Sequence, residues 1–325
     1  GDNADSTRVS ATAIGNTLGR STDVRLRTGT NEGETYDVVF QNDAKVVKSA
    51  GRDARLTVDS LRDVRMNSGA SIASTAGALH VDLDANAGNN EAGGAIRLSG
   101  ATIETNGGNI RLYGQGDPLN GYAVGGIAST DGGPYFANAG ITLTDSALST
   151  CAMASGACGG TGAISLRGMG TSTIAGGDPN YYVSAGGVLV EGSSLTTGGG
   201  NIAIDGKGAI GARGVELRST EGQASTLQTG TGDVAIAGSS RSWTTDDPAA
   251  VYGSEVSFTS TSTVNVTVQA PTGVLLNGAT IQAGGRVGID GTGGDLQGLT
   301  ASTAFVTSAA AANNGAGTSF AAGDG

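Results

Sequence analysis

The chain is poor in aromatic residues, which make up 4% of its 325 positions, and it contains 1 Trp and 1 His. Its core must therefore be built from Val, Ile, Leu and Ala. Only 5 prolines accompany 58 glycines, and glycine does not recur at every third position, so a collagen triple helix is excluded. With 2 cysteines, the chain is also not a small domain held together by disulfides.

No apolar run reaches the roughly 20 residues of a membrane-spanning helix, so no transmembrane segment is expected. With 18 basic and 29 acidic residues the net charge is −11, and an acidic surface repels phosphate backbones, so nucleic acid is not an expected partner. The sequence has no histidine pair, catalytic triad or glycine-rich phosphate loop, and its strand carboxylates are scattered. We therefore expect neither enzymatic activity nor a required cofactor.

What the chain does contain is an internal repeat of short apolar doublets. The clearest copy places apolar residues at Val188, Val190, Leu195, Ile202 and Ile204, separated by gaps of four and six residues. Similar copies, some with insertions or deletions, begin at five other positions: Val64, Ile96, Ile141, Val215 and Val274. Such self-similarity is typical of solenoid proteins.

The doublets alternate apolar and polar residues with a period of two, which predicts strands. Turns rich in Gly-Gly, Gly-Asn and Ser-Gly separate them, so three short strands form one triangular coil. Each coil buries its apolar face only against its neighbours. The sequence therefore predicts an all-β fold, a parallel β-helix of roughly 12 three-stranded coils, because core units of about 20 residues alternate with longer loops. At a strand spacing of about 4.8 Å the rod would be about 60 Å long.

One β-helix domain is expected over residues 1–300, with looser coils in 1–60 and clear repeats in 61–294. Residues 301–325 form an Ala/Gly-rich tail or a continuation of the helix. An antiparallel sandwich is disfavoured because the strands are too short for hairpins.

Several segments resemble the filamentous haemagglutinin family, among them "KSAGRDARLTVDSLRDVRMNSGASIASTAGALHVDLDA" and "GGAIRLSGATIETNGGNIRLYG". These are large exoproteins of Gram-negative bacteria exported by two-partner secretion. The resemblance implies a right-handed parallel β-helix, secretion to the bacterial cell surface, and a role in adhesion or biofilm formation. The Asn-Pro-Asn-Gly-type motif of the family's secretion domain is missing, so the chain is expected to be an internal or carboxy-terminal piece of the passenger.

Five excursions follow the third strand of successive coils and should leave from one corner: residues 82–95, 113–140, 167–187, 205–214 and 237–255. Three of them contain Asp-Pro followed closely by tyrosine. Seven aromatic residues lie in these three loops: Tyr122, Tyr135, Phe136, Tyr181, Tyr182, Trp243 and Tyr252. Because flat rings anchor sugars and proteins, these loops are candidates for binding a glycan or protein receptor on host or neighbouring cells. The alternative is that the rings fold back and pin the loops to the rod.

Two further groups of residues are candidate sites. Cys151 and Cys158 lie in an insertion between the second and third strands of their coil, where a local disulfide is expected and metal ligands are missing. Asp82, Asp84 and Asn86 alternate, with Glu91 nearby, which gives a weak calcium-loop pattern with irregular spacing. The alternative for this acidic segment is a solvated strand face, on which His80 is expected to be exposed.

The leading hypothesis is a non-catalytic, secreted adhesin rod that binds through its corner loops. A second hypothesis is a structural subunit of an extracellular filament or sheath formed by end-to-end self-association, because the sequence shows no capping helix at either end and bare strand edges invite addition. A polysaccharide-cleaving enzyme is the third, since parallel β-helices also host such activities.

Overall fold

A computed structural model describes residues 7–29, 37–88, 94–125, 127–129, 135–137, 139–151, 158, 160–174, 182–210, 212–220 and 223–241, and the strands beyond residue 241. One helix, α1 (Ala11–Leu18), precedes the strands.

The first strands are β1 (Val24–Arg27), β2 (Val38–Phe40), β3 (Lys45–Lys48), β4 (Ala54–Asp59), β5 (Val64–Met66), β6 (Ser71–Ser74), β7 (Leu79–Ala85), β8 (Ile96–Ser99), β9 (Thr102–Glu104) and β10 (Ile110–Gly114). The middle strands are β11 (Ala123–Gly125), β12 (Ile127–Ser129), β13 (Tyr135–Ala137), β14 (Ile141–Thr144), β15 (Ala147–Ser149), β16 (Ile164–Gly170), β17 (Ser172–Ile174), β18 (Tyr182–Ser184), β19 (Val188–Glu191), β20 (Ser194–Thr197) and β21 (Ile202–Ile210). The last are β22 (Val215–Arg218), β23 (Thr226–Thr229), β24 (Val234–Arg241), β25 (Val274–Asn277), β26 (Thr280–Ala283), β27 (Val287–Thr292), β28 (Leu296–Gln297), β29 (Phe305–Val306), β30 (Ala311–Ala312) and β31 (Ser319–Ala322).

Three parallel sheets form the walls of the solenoid, and each takes every third strand of the regular coils. Sheet A follows the order β1-β4-β7-β10-β16-β21-β24-β27-β29, with β11 beside β16. Sheet B follows β2-β5-β8-β14-β19-β22-β25-β28-β30, and sheet C follows β3-β6-β9-β15-β20-β23-β26-β31. This confirms the predicted parallel β-helix of short strands.

The described strands stack in nine layers in sheets A and B, fewer than the roughly 12 coils expected. The number of residues per layer varies widely. Val188 and Val215 are stacked neighbours 27 residues apart, whereas Val215 and its next neighbour Val274 are 59 apart.

The inward side chains form the expected apolar ladders. Ile202 lies in register between Ile164 and Val234 and is fully buried, while Ala203, one residue on, is exposed. Because the layers up to β24, whose side chains the structure describes, repeat this arrangement, their core runs as a continuous column made mainly of Val, Ile and Leu.

Polar ladders fix the corners between the sheets. At the corner between sheets C and A, a buried hydroxyl donates to a glycine carbonyl three residues on, from Thr105 to Gly108 and from Thr197 to Gly200, each at 2.5 Å. Just beyond it, the side-chain oxygen of Asn201 accepts the N–H of Asp233 in the next layer at 2.9 Å. The repeated Gly-Asn-Ile segments thus belong to a hydrogen-bonded corner that recurs in several coils, with the same threonine hydroxyl bond at Thr150 and Thr229.

Helix α1 corrects the expectation that no capping helix exists at the amino-terminal end. Ser10 caps it by accepting the N–H of Ala13 at 3.3 Å, and Ile14 and Leu18 are buried in the end of the core. The helix lies mainly against β3, close enough that a methyl group on Gly15 would meet the carbonyl oxygen of Val47 at 2.4 Å. The helix therefore closes part of this end of the stack.

Candidate functional site: the decorated corner

The five predicted excursions all follow strands of sheet A, as the repeat predicted, and each of these strands runs past the residue at which the excursion was expected to begin. The overlap with the segments predicted to be loops is two to six residues in β7, β10, β16, β21 and β24. The cause is visible in β16 and β21, where Gly168 and Gly206 occupy the inward position after the apolar doublet and remain in register. Glycine carries no hydrophobic signal, so the pattern seemed to end while main-chain pairing continued.

These glycines allow the chain to cross itself at the corner. A methyl group on Gly168 would meet the carbonyl oxygen of Gly187 at 2.3 Å, and one on Gly206 would meet that of Gly214 at 2.0 Å. The strand extension thus lies directly on the segment that returns to sheet B. Only main chain fits on both sides of this crossing, which we call the glycine crossing, formed by Gly168, Gly187, Gly206 and Gly214.

Two excursions contain antiparallel hairpins. Strand β12 pairs with β13 through Ser129 and Tyr135, and β17 pairs with β18 through Ile174 and Tyr182. Strands β13 and β18 lie next to each other, so the two hairpins form one cluster on the sheet A side of the rod. The backbone therefore brings Tyr135, Phe136 and Tyr182 into one region.

Tyr122, by contrast, folds back onto the rod and is only 8% exposed. Its hydroxyl donates to Asp205 at 2.6 Å and accepts from Arg167 at 2.7 Å. Lys207 Nζ lies 4.0 Å from the ring centroid, within cation–π range. This is the alternative left open by the sequence: the ring pins its loop to sheet A and is not offered to a ligand.

Burial and the bond to Asp205 raise the pKa of Tyr122 to about 12, so the phenol keeps its proton at neutral pH. Its partners Arg167, Asp205 and Lys207 are not among the candidate residues predicted from the sequence. A signal was present, since Arg167 and Asp205 occupy equivalent positions after the doublets of two successive coils and stack in register. Stacked positions carrying opposite charges were the clue to this clamp.

The remaining aromatic candidates, Tyr181, Trp243 and Tyr252, lie outside the described residues, as does Glu91 of the calcium pattern. Leu119 is 71% exposed in the excursion that carries Tyr122. It supplies an accessible apolar side chain apart from the hairpins.

Cys151 and Cys158 are joined by a disulfide, with their Cα atoms 4.3 Å apart. The insertion they close stands at the corner between sheets C and A. Across it, the hydroxyl of Thr150 donates to the carbonyl of Gly162 at 2.9 Å, as its counterparts do across shorter turns. The bridge thus allows a longer loop to keep the corner hydrogen bond of the regular coils.

The acidic pattern lies on the outward face of β7. Asp82 forms an ion pair with Arg55, with its Oδ1 4.0 Å from Arg111 Nε, and Asp84 accepts the N–H of Gly116 at 3.2 Å. Among the residues that the structure describes, no group of three His, Cys, Asp or Glu side chains is placed to hold a metal ion. The described acidic residues thus act as partners for neighbouring layers.

His80 and Asp84 both differ from ordinary exposed groups. His80 is half-buried and its Nδ1 accepts the N–H of Asn109 at 3.1 Å, contrary to the expected exposed side chain. Burial and the nearby Arg55 lower the pKa of His80, which favours the neutral acceptor form. Burial raises the pKa of Asp84 to about 7, reinforced by Asp59.

Searches of family models, curated proteins and solved structures found no match to the chain. In the described part of the molecule, no helix has the length and apolar character needed to span a bilayer.

Proposed function

We propose that the chain is a non-catalytic, secreted rod of a bacterial surface protein that mediates cell attachment or biofilm formation. The sequence resemblance to filamentous haemagglutinins and the parallel β-helix support this role. The observation that carries it is the pairing of two hairpins on one side of an otherwise regular stack, since protruding loops on a rigid solenoid are a common form of binding surface.

The proposed binding region comprises Tyr135 and Phe136 on β13 and Tyr182 on β18, which adjacent hairpins bring together. The ligand is a glycan or protein receptor on host or neighbouring cells, because aromatic rings bury large areas with little loss of side-chain entropy. Tyr122 is left out of this region because its ring is clamped to the rod.

The test is a cell- and glycan-binding assay with the variant Tyr135→Ala, Phe136→Ala, Tyr182→Ala. We expect at least a tenfold loss of binding while circular dichroism stays rich in β-structure. Leu119→Ala is the matched control, because it removes an exposed apolar side chain from the same side of the rod but from outside the hairpins. Unchanged binding by the triple variant, or equal loss in the control, would remove the hairpins as the binding region.

The filament alternative depended on bare ends, and α1 covers part of one of them. Sedimentation of the isolated chain separates the two proposals, since a monomer at high concentration fits the adhesin rod and long uniform fibres fit the filament. Release of reducing ends from a glycan panel would instead favour the enzyme.

A further inference from the structure

The amino-terminal end of sheet A has an open edge. Within the described residues, β1 pairs only with β4, so its other edge has unpaired main-chain N–H and C=O groups. Its inward residues Val24 and Leu26 pack against the core but stay half-buried, because none of the described strands covers them. Helix α1 lies mainly over β3, the end strand of sheet C.

The outward face of β1 is cationic. Arg25 and Arg27 alternate with the two apolar residues, and both side chains are exposed, that of Arg25 to 68% although it pairs with Asp59. By contrast β2, the end strand of sheet B, has Val39 on its outward face and follows Asp37. The two free edges therefore differ in charge.

Within sheet A, outward-facing arginines lie opposite carboxylates on adjacent strands. Arg167 and Asp205 are register partners on adjacent strands, and their charged groups are 3.1 Å apart. Asp82 and Arg111 are likewise partners on β7 and β10, at 4.0 Å. A strand laid on β1 would gain the same pairing by carrying carboxylates at the two positions opposite the arginines.

We propose that the free edge of β1 binds an extended segment of a partner polypeptide in which apolar and acidic residues alternate. Main-chain hydrogen bonds would supply affinity, the apolar residues would cover Val24 and Leu26, and the carboxylates would select the register. The pattern required is that of Val81-Asp82-Leu83-Asp84 in β7. This inference concerns one end of the rod and does not depend on the role of the hairpins.

The experiment uses the full chain and a labelled, end-blocked peptide with the sequence of residues 79–86. Fluorescence anisotropy measures its binding at low and high salt, and hydrogen exchange locates it. We expect saturable binding that weakens with salt, together with slower exchange of amides in residues 24–28. A second peptide with lysine in place of both aspartates should bind at least fivefold more weakly.

Arg27→Glu tests the charge selection, because this exposed arginine can be reversed without removing the Arg25–Asp59 pair. The variant should lose its preference for the acidic peptide and bind the lysine peptide at least as well. Arg52→Glu is the control, an exposed cation near the same end but outside β1, and it should alter binding less than twofold.

Three results would overturn the proposal. One is the absence of saturable binding up to millimolar peptide. Another is slower hydrogen exchange in β2 and not in β1 when the acidic peptide binds the unaltered chain. The third is an equal effect of the two arginine variants, which would indicate general attraction to a basic end and not strand addition.

Discussion

At the residue scale, inward side chains of a strand contribute far more to stability than outward ones, because stacking buries only the inward side chains. Ile202 is fully buried between two equivalent apolar residues, whereas Ala203 faces out. The strands above and below fix the layer spacing, so a hole left in the column cannot collapse.

Ile202→Ala should therefore lower the free energy of unfolding by about 2–5 kcal/mol, from lost burial and the cavity left behind. Ala203→Ser on the same strand should change it by less than about 0.5 kcal/mol. Urea denaturation gives both values, and hydrogen exchange across residues 160–240 should show fraying near layer β21. Greater damage from Ala203→Ser would mean that the inward and outward assignment is reversed.

Asp84 gives a pH dependence of unusual sign. Its pKa is raised to about 7 in the folded chain because it is buried, and Asp59 and Asp82 add to the shift while Gly116 N–H and Arg25 oppose it. The folded state thus holds a proton that the unfolded state, with a pKa near 3.8, has lost, so stability from this group falls as the pH rises from about 4 to about 7.

Asp84→Asn should remove that loss, because the amide keeps the neutral form at every pH. We expect the variant to have a higher urea midpoint than the parent at pH 8 and a similar one at pH 4. Asp117→Asn is the control, since Asp117 lies in an exposed turn and its pKa is lowered by bonds from Leu119 and Asn120. If the urea midpoints of the parent and of Asp84→Asn changed with pH in the same way, the raised pKa of Asp84 would be contradicted.

At the element scale, apolar alternation predicted the short strands of each coil but indicated neither the strand extensions nor helix α1. Strands such as β19, β20 and the start of β21 follow from the doublets. Their extensions do not, because Gly168 and Gly206 hold inward positions without an apolar side chain. Helix α1 has only Ile14 and Leu18 as a buried pair and contains Gly15, so its hydrophobic pattern is weak, although Ser10 offered a capping signal.

The candidate site also has a part that could be predicted from the sequence and a part that could not. The shared corner could be predicted because topology places every third strand in sheet A. The burial of Tyr122 could not be predicted from one loop, since its partners Arg167 and Asp205 come from two other coils.

The glycine crossing leads to a prediction about Gly206. In Gly206→Ala the new methyl group would stand 2.0 Å from the carbonyl oxygen of Gly214, which is main chain and cannot turn aside. We expect a loss of about 1–3 kcal/mol or more in the free energy of unfolding. In the control, Gly199→Ala, the nearest atom is the hydroxyl of Thr231 at 3.4 Å, so its effect should be far smaller. Thermal denaturation of both variants decides, and equal losses would mean that the crossing is not close-packed.

At the scale of the whole molecule, the covering of its end strands determines whether a solenoid stays monomeric. Inner layers are covered by the layers on both sides. The first strand of sheet C, β3, has no described strand before it and is covered by α1 instead. Ile14 and Leu18 close the core there, and Gly15 permits the helix to approach Val47.

Gly15→Val should lift the helix from this end, because even the first carbon of the new side chain would stand 2.4 Å from the Val47 carbonyl oxygen. We expect concentration-dependent association through the exposed core and the edge of β3, seen by analytical ultracentrifugation. Asn16→Ala changes an exposed neighbour and should stay as monomeric as the parent. A monomeric Gly15→Val chain would show that α1 does not protect this end.

The glycine crossing also bears on how such a chain can diversify. Where the excursions after β16 and β21 leave and rejoin the rod, they pass chiefly over main chain, so the glycine crossing itself imposes little side-chain fit on the layers beneath. Side-chain clamps such as that of Tyr122 are made outside the crossing. Loops of different length and composition can be exchanged at this corner by mutation or recombination while the stack keeps its register. The scaffold can stay constant over generations while its outermost segments diverge.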